Sequence, residues 1–515
     1  MSRSSPEALY HSIPQLPQDG PNNDSALELN AEHDNEEANE DSNLPTNVVT
    51  VDLRIRWINF VLGCAVLLPW NALITAIPYF LSRLAGSSLQ STFSSYLSIT
   101  FTLSNFLCLA HATATSKQSP PSIRTTMSLY GLTALTLLLT LSTFITISPG
   151  LFFTFVLLNG VAQASFGSYL QNAVIAVASL FGPQAVQAML AGQAAVAVVV
   201  SAVQVFSAAV SVHTSSGMES VSAKERDAEE RSAFIFFGLS TIFLLFSIAA
   251  HKWLVSLPVY RAVAGSLESQ KRQGTRATGN GFDSSDLGPD IDERSRMLVS
   301  AGPSQMFTEK HRIWKVAKAN VLYEIAVAYV FMVTLTVFPP ITSSVLPTNP
   351  SVHPLLFTSI HFLVFGLGDF FGRYICSFPK LLIWSAKRLL ALSLSRTLFI
   401  FLFLMCNIQR PPILNPNPNP TDPSNLNLTS TPVINSDFLF MLILFLFGAS
   451  NGYISSLCMM SAPSLEHNSR LKGKKEDVDV AATVTQFCLI GGLVLGSVAS
   501  FVVRGAVCKC NPFVM

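Results

Sequence analysis

Apolar residues run in long blocks along this chain, without the strict alternation of a half-buried strand or the narrow stripe of a surface helix. A helix of about 20 residues crosses a hydrocarbon core of roughly 30 Å. The blocks therefore predict eleven membrane-spanning helices, over 57–80, 93–112, 126–147, 151–180, 184–212, 233–257, 313–339, 354–378, 384–408, 437–462 and 480–505. Residues 151–212 are almost continuously apolar, and the division there rests on Gly182-Pro183. Barrel strands would be about ten residues long and alternating. The pattern instead predicts an all-α polytopic membrane protein.

Two polar stretches interrupt the pattern. Residues 1–54 are acidic, with the run DNEEANEDSN at 34–43, and hold too little apolar surface to offset the entropy of ordering. They read as a disordered cytoplasmic tail, and they lack the charged start and apolar core of a signal peptide. Within them Tyr10-His11-Ser12-Ile13 fits a tyrosine-type sorting pattern, short enough to arise by chance. Residues 258–312, rich in Gly, Ser and Asp, read as a cytoplasmic linker. It would separate a half-bundle of six helices (55–257) from one of five (313–515). No short sequence repeat relates the two halves.

Composition sharpens this picture. Only 12% of the 515 residues are charged, against about 25% in an average soluble domain. The 32 Lys+Arg and 31 Asp+Glu nearly cancel, leaving no basic field to draw the protein onto nucleic acid. The eight cysteines mostly stand singly in apolar runs, as small core residues do, and Cys508-Lys509-Cys510 has the wrong spacing for paired zinc ligands. With a cytoplasmic amino terminus, 23 of the 32 Lys+Arg fall on the cytoplasmic side and seven opposite, as the positive-inside tendency asks. The carboxyl terminus is then extracellular or lumenal. The sequon Asn427-Leu428-Thr429 falls on that same outer side and predicts a glycoprotein, whereas Asn23-Asp24-Ser25 would be cytoplasmic.

Ionisable residues at membrane depth are costly and are the first functional candidates. Asp369 and Arg373 are four residues apart on one helix face. They form either a structural ion pair or a donor and acceptor set lining a wet cavity. His361, two turns earlier, fits a packing residue or a proton relay, and Glu324 a coupling-proton site or an interfacial residue. Gln171 and Asn172 carry carboxamides suited to a heterocycle edge or to interhelical hydrogen bonds. Pro69 should kink the first helix beside Trp70. Gly366-Leu367-Gly368-Asp369 matches the GxGD element of intramembrane aspartyl proteases, but no Tyr-Asp pair or Pro-Ala-Leu element supplies the rest. Arg373 would also hold Asp369 as a fixed anion.

Four segments resemble the equilibrative nucleoside transporter family: NFVLGCAVLLPWNALITAIPYF (59–80), SYLQ with the later MLAGQ (189–193), FGLGDFFGR (365–373) and NGYISSLCMMSAP (451–463). The resemblance implies a six-plus-five bundle related to the major facilitator fold, with a solute site between the halves. It implies that Leu67, Trp70 and Ile74 line one side, that Gln171 faces a nucleobase, and that Asp369 and Arg373 serve the ribose. Asn71 and Asn105 match polar family positions and are assigned to the helix network. One departure is Gly366, where the family usually has Asn, which bears on substrate range.

The function implied is facilitative transport of purine and pyrimidine nucleosides across a lipid bilayer, with nucleobases left open as a further substrate, and without cofactor or metal. No phosphate-binding GxxxxGK[ST] loop is present. Proton-coupled transport and another major-facilitator-type solute carrier are the alternatives, with the protease remote. Plasma membrane and a vacuolar or lysosome-like membrane both fit.

Overall fold

The computed structural model describes residues 52–508 apart from 91, 117–118, 146, 215–220, 266–267, 270–302, 350–351 and 409–432. The acidic tail, most of the linker, both sequons (Asn23 and Asn427) and Lys509-Cys510 lie outside the described residues.

The chain is helical. Its first half holds α1 (Leu53–Thr75), α2 (Ile77–Arg83), α3 (Phe93–Ala114), α4 (Pro121–Ser142), α5 (Pro149–Leu180), α6 (Pro183–Thr214) and α7 (Val221–Ser256). The second half holds α8 (Pro303–Val337), α9 (Pro354–Ile375), α10 (Ala386–Ser395), α11 (Leu398–Leu404), α12 (Asp437–Ser461) and α13 (Val478–Cys508). Among the described residues there is no β-strand, only two isolated bridges. Among the described residues nine helices are long and apolar enough to cross a membrane, and α9, with the charged pair, runs 22 residues. The fold is an all-α polytopic membrane bundle.

Local chemistry sets the helix ends. Proline opens α4, α5 and α6, where its missing N–H is one the helix cannot pair anyway. Gly182, at φ +96°, makes the turn between α5 and α6. Pro69 lies inside α1, and the helix restarts at Ile77 with Pro78 in its first turn.

Beyond the break at Ala76 inside the predicted 57–80 span, the largest boundary differences from the sequence expectation fall in three places. Helix α7 starts at Val221 and α8 at Pro303, each about ten residues early, because helix formation runs through polar turns that hydropathy does not score. The predicted ninth span, 384–408, is not one helix. It breaks at Arg396-Thr397, whose amides bond three residues back to Ser393 and Leu394 (3.2 and 3.1 Å). There the Arg396 side chain enters the bundle and is 1% exposed.

Successive crossings of a bilayer run in opposite directions, with α1 and α2, and α10 and α11, each in one predicted span, so each end of the bundle gathers the starts of some and the finishes of others. At the end where α1 begins, one apolar core takes residues from both halves: Ile58 and Leu62 of α1, Val186 of α6, Val327 of α8, Leu457 of α12 and Ile490 of α13. At the opposite end the core divides. One cluster, with Phe80, Phe93, Phe152 and Phe237, draws only on the first half. The other, with Phe338, Phe357, Phe440 and Phe447, draws only on the second. The bundle thus has a joined end and a split end.

Glycines bring particular helices into backbone contact. A Cβ on Gly368 or Gly372 of α9 would strike Phe445 or Ala449 of α12, and one on Gly448 or Gly452 of α12 would strike Phe365 or Asp369. Gly63 and Gly192 do the same between α1 and α6.

Candidate functional site

The backbone contact of α9 with α12 places Asp369 against Asn451. Asp369 Oδ2 accepts from Arg373 Nε at 2.9 Å, one turn along the same helix. Its other oxygen, Oδ1, accepts from Asn451 Nδ2 at 2.6 Å. Asp369 is 8% exposed and Arg373 6%. A charge this far from water is tolerable only when paired and hydrogen-bonded, and both carboxylate oxygens meet that condition.

The network continues. Asn451 Oδ1 accepts from Thr334 Oγ1 of α8 at 2.8 Å, and Thr334 Oγ1 accepts from Arg396 Nη2 at 2.9 Å. Arg396 Nη1 donates to the Phe447 carbonyl at 3.1 Å and to Ser450 Oγ, and its guanidinium lies 4.6 Å from the centre of the Phe447 ring. Thr334 Oγ1 also lies 2.7 Å from the Val330 carbonyl, so its one proton is shared between that carbonyl and Asn451. Arg373 thus bonds the carboxylate directly, and Arg396 is linked to it through Thr334 and Asn451.

Arg373 has capacity left over. Among the described residues its Nη groups have no partner, yet they are not enclosed. Gln187 of α6 donates to the Arg373 main-chain carbonyl at 3.0 Å, which ties this turn to the other half of the bundle at the joined end. Its two Nη groups are thus neither hydrogen-bonded among the described residues nor fully enclosed, on a turn that Gln187 ties to the other half.

The first half contributes a second unspent group. Asn172 is committed to packing: its Oδ1 accepts from Arg124 Nη2 at 2.8 Å and its Nδ2 donates to Thr113 Oγ1 at 3.1 Å. Gln171, 8% exposed, has no hydrogen bond among the described residues, and neither amide atom is enclosed. Leu67, Trp70 and Ile74 are half-buried along one face of α1, and the Trp70 ring lies 4.2 Å from that of Phe101, tilted 30°. Asn71 donates to its own helix at Leu67 (2.9 Å), and Asn105 accepts from Ser168 (2.7 Å).

Other candidates stand apart. His361 is 1% exposed, stacked on Phe362 at 4.7 Å and edge-on to Phe338. Both of its ring nitrogens are enclosed without partners. It belongs to the split-end aromatic core and touches no proton donor or acceptor among the described residues. Glu324 of α8 is 8% exposed, with Oε1 enclosed and unpartnered. Gly366 faces Val198 of α6, and an added Cβ would meet it at an ordinary 3.7 Å. No second aspartate joins Asp369 among its contacts, so the proton-sharing dyad of an aspartyl protease is not formed.

Sequence reasoning missed Asn451, Thr334, Arg396 and Gln187. Asn451 opens the NGYISSLCMMSAP segment and Arg396 is an arginine within an apolar block, so each carried a signal. Thr334 and Gln187 carried none.

The profile described as "Nucleoside transporter" matches residues 157–505. The chain belongs to that family. Among curated relatives, Equilibrative nucleoside transporter 2 of Homo sapiens is 28% identical over 488 residues, covering 86% of this chain and 95% of the relative. Equilibrative nucleoside transporter 1 of Homo sapiens is 26% identical, covering 87% and 96%. Nucleoside transporter FUN26 of Saccharomyces cerevisiae is 24% identical, covering 86% and 82%. Among solved structures, FucP, a major facilitator superfamily transporter in the outward conformation, aligns with a TM-score of 0.47 at 13% identity over 89% of this chain and 94% of its own. These relatives are named as transporters and not as enzymes, and the family member described here shares nearly their whole length.

Proposed function

We propose that this protein is a facilitative nucleoside carrier that works by alternating access, with eleven crossings and a cytoplasmic amino terminus. The observation that carries the reading is the spare donor pair of Arg373 at the seam of the two halves. A ribose cannot shed its water into hydrocarbon without replacement hydrogen bonds, and a fixed planar fork beside a carboxylate offers them in a set geometry. Gln171, on the opposite half, presents a donor and an acceptor to the base, and Leu67, Trp70 and Ile74 pack its faces. Family membership supports the substrate class, and the joined and split ends support a cycle in which closure of one end accompanies opening of the other. Plasma membrane and a vacuolar or lysosome-like membrane both accommodate this role.

Uptake of labelled adenosine and uridine into proteoliposomes tests the reading. Transport of both, with much weaker transport of analogues lacking ribose hydroxyls, is expected. Equal transport of those analogues would remove Arg373 and Asp369 from the sugar role. A second reading, proton-coupled transport, is favoured by one observation, the enclosed and unpartnered Oε1 of Glu324. Accumulation driven by an imposed pH gradient, and its loss in Glu324→Gln, would establish that version.

A further inference from the structure

Away from the seam, the start of α4 and the finish of α7 enclose a cleft of about 290 Å³ lined by Ser122, Ile123, Met127, His251, Lys252 and Val255. It lies at the joined end of the bundle. Its surroundings are those of a membrane interface: Tyr130 and Trp253 are each 49% exposed, where amphipathic rings anchor at headgroup level. One wall is apolar and open, with Ile123 at 43% and Met127 at 67% exposure.

The floor is polar and incompletely satisfied. The Ser122 carbonyl accepts from Thr126 Oγ1 at 2.8 Å and from His251 Nε2 at 3.2 Å. A carbonyl only accepts, so Nε2 carries the proton and Nδ1 is left as an acceptor. Nδ1 has no donor, and His251 is 2% exposed. At the rim, Lys252 has no carboxylate partner among the described residues, and its ammonium lies over the Tyr130 ring at 5.7 Å. A lone cation beside a hydroxyl, a buried acceptor and an open apolar wall matches one kind of molecule, a charged head carrying acyl chains.

We propose that this cleft binds an anionic glycerophospholipid of the leaflet at the joined end. The phosphate would pair with Lys252 and accept from the Ser122 hydroxyl, and an acyl chain would lie along Ile123, Met127 and Val255. Phosphatidylserine, an anionic member of this class, is the probe. The site shares no residue with the proposed nucleoside site.

The test is native mass spectrometry of the full chain released from phosphatidylcholine nanodiscs containing phosphatidylserine. Wild-type protein should retain phosphatidylserine in preference to phosphatidylcholine. Lys252→Ala, which removes the cation, and Met127→Trp, which fills the cleft mouth from an exposed position, should each lower retention severalfold. Lys315→Ala, at an exposed lysine of the same end, should leave it unchanged. Full retention in Lys252→Ala or in Met127→Trp, or an equal loss in Lys315→Ala, would overturn the site. The readout involves no transported solute, so it stands or falls separately from the nucleoside reading.

Discussion

The two ends of the bundle are built from different residues and packed to opposite effect. At the joined end aliphatic side chains of both halves share one core, and Gln187 and Arg373 hydrogen-bond across the seam. At the split end each half closes its own core with phenylalanines, Phe80, Phe93 and Phe152 on one side and Phe357, Phe440 and Phe447 on the other. Because each half is self-sufficient there, the two can separate without exposing a core. The joined end must instead keep its shared surface dry until it opens. Stability at one end is intrinsic to the halves; at the other it belongs to a conformational state.

Five substitutions test this contrast, from the greatest disruption down. Gly452→Leu would drive a side chain into the Asp369 backbone at the α9–α12 crossing. Overpacking of backbone against backbone has no cheap relaxation, and the expected result is loss of monodisperse protein on size exclusion. A well-folded Gly452→Leu protein would contradict the rigid pairing of these helices.

Arg373→Ala should nearly abolish ribonucleoside uptake at normal membrane abundance. It strands Asp369, and breaking a buried pair typically costs about 3–5 kcal/mol, so abundance and thermal stability must be measured alongside. Uptake within about tenfold of wild type, a difference of only about 1.4 kcal/mol, would exclude a direct role.

Arg396→Met and Asn451→Leu should each weaken ribonucleoside transport by a smaller factor, because they act through the orientation of Asp369. The two changes should be non-additive, since they cut one chain of hydrogen bonds. Transport of analogues lacking ribose hydroxyls should change less. Equal losses for both substrates would mark the arginine as structural only.

The smallest effect is expected at Phe106 and Phe487, stacked across the seam 5.3 Å apart. Removing such a contact is worth about 1 kcal/mol, enough to raise the population open at the joined end severalfold. Native cysteines report it: alkylation of Cys376, in the shared core, should quicken in Phe106→Ala, while Cys406, in the split-end core, should not respond.

The sequence made the membrane helices legible because transfer from water to hydrocarbon depends mainly on composition over a span. It could not show the break at Arg396, since a tightened turn inside an apolar block leaves the composition unchanged. The Asp369–Arg373 pair was legible for the same reason that any i,i+4 pair is: helix geometry alone brings the two together. Thr334, Asn451 and Arg396 lie far apart in the chain, and only the packed arrangement of α8, α12 and the α10–α11 break makes them neighbours. Gln171 and Asn172 show the limit most plainly. They are adjacent carboxamides of equal promise in the sequence, yet Arg124 claims one and leaves the other free.

Backbone contact locks α9 to α12, so Arg373 travels with the second half as a rigid body, whereas Gln171 rides on the first. A solute held by both acts as a strut of fixed length between two moving walls. With the proposed site, an intact nucleoside, base at one end and sugar at the other, would draw those walls together, whereas a free base or a free pentose would grip only one, against the nucleobase transport that the resemblance left open. On the proposed site, turnover would then report molecular length as much as chemical identity.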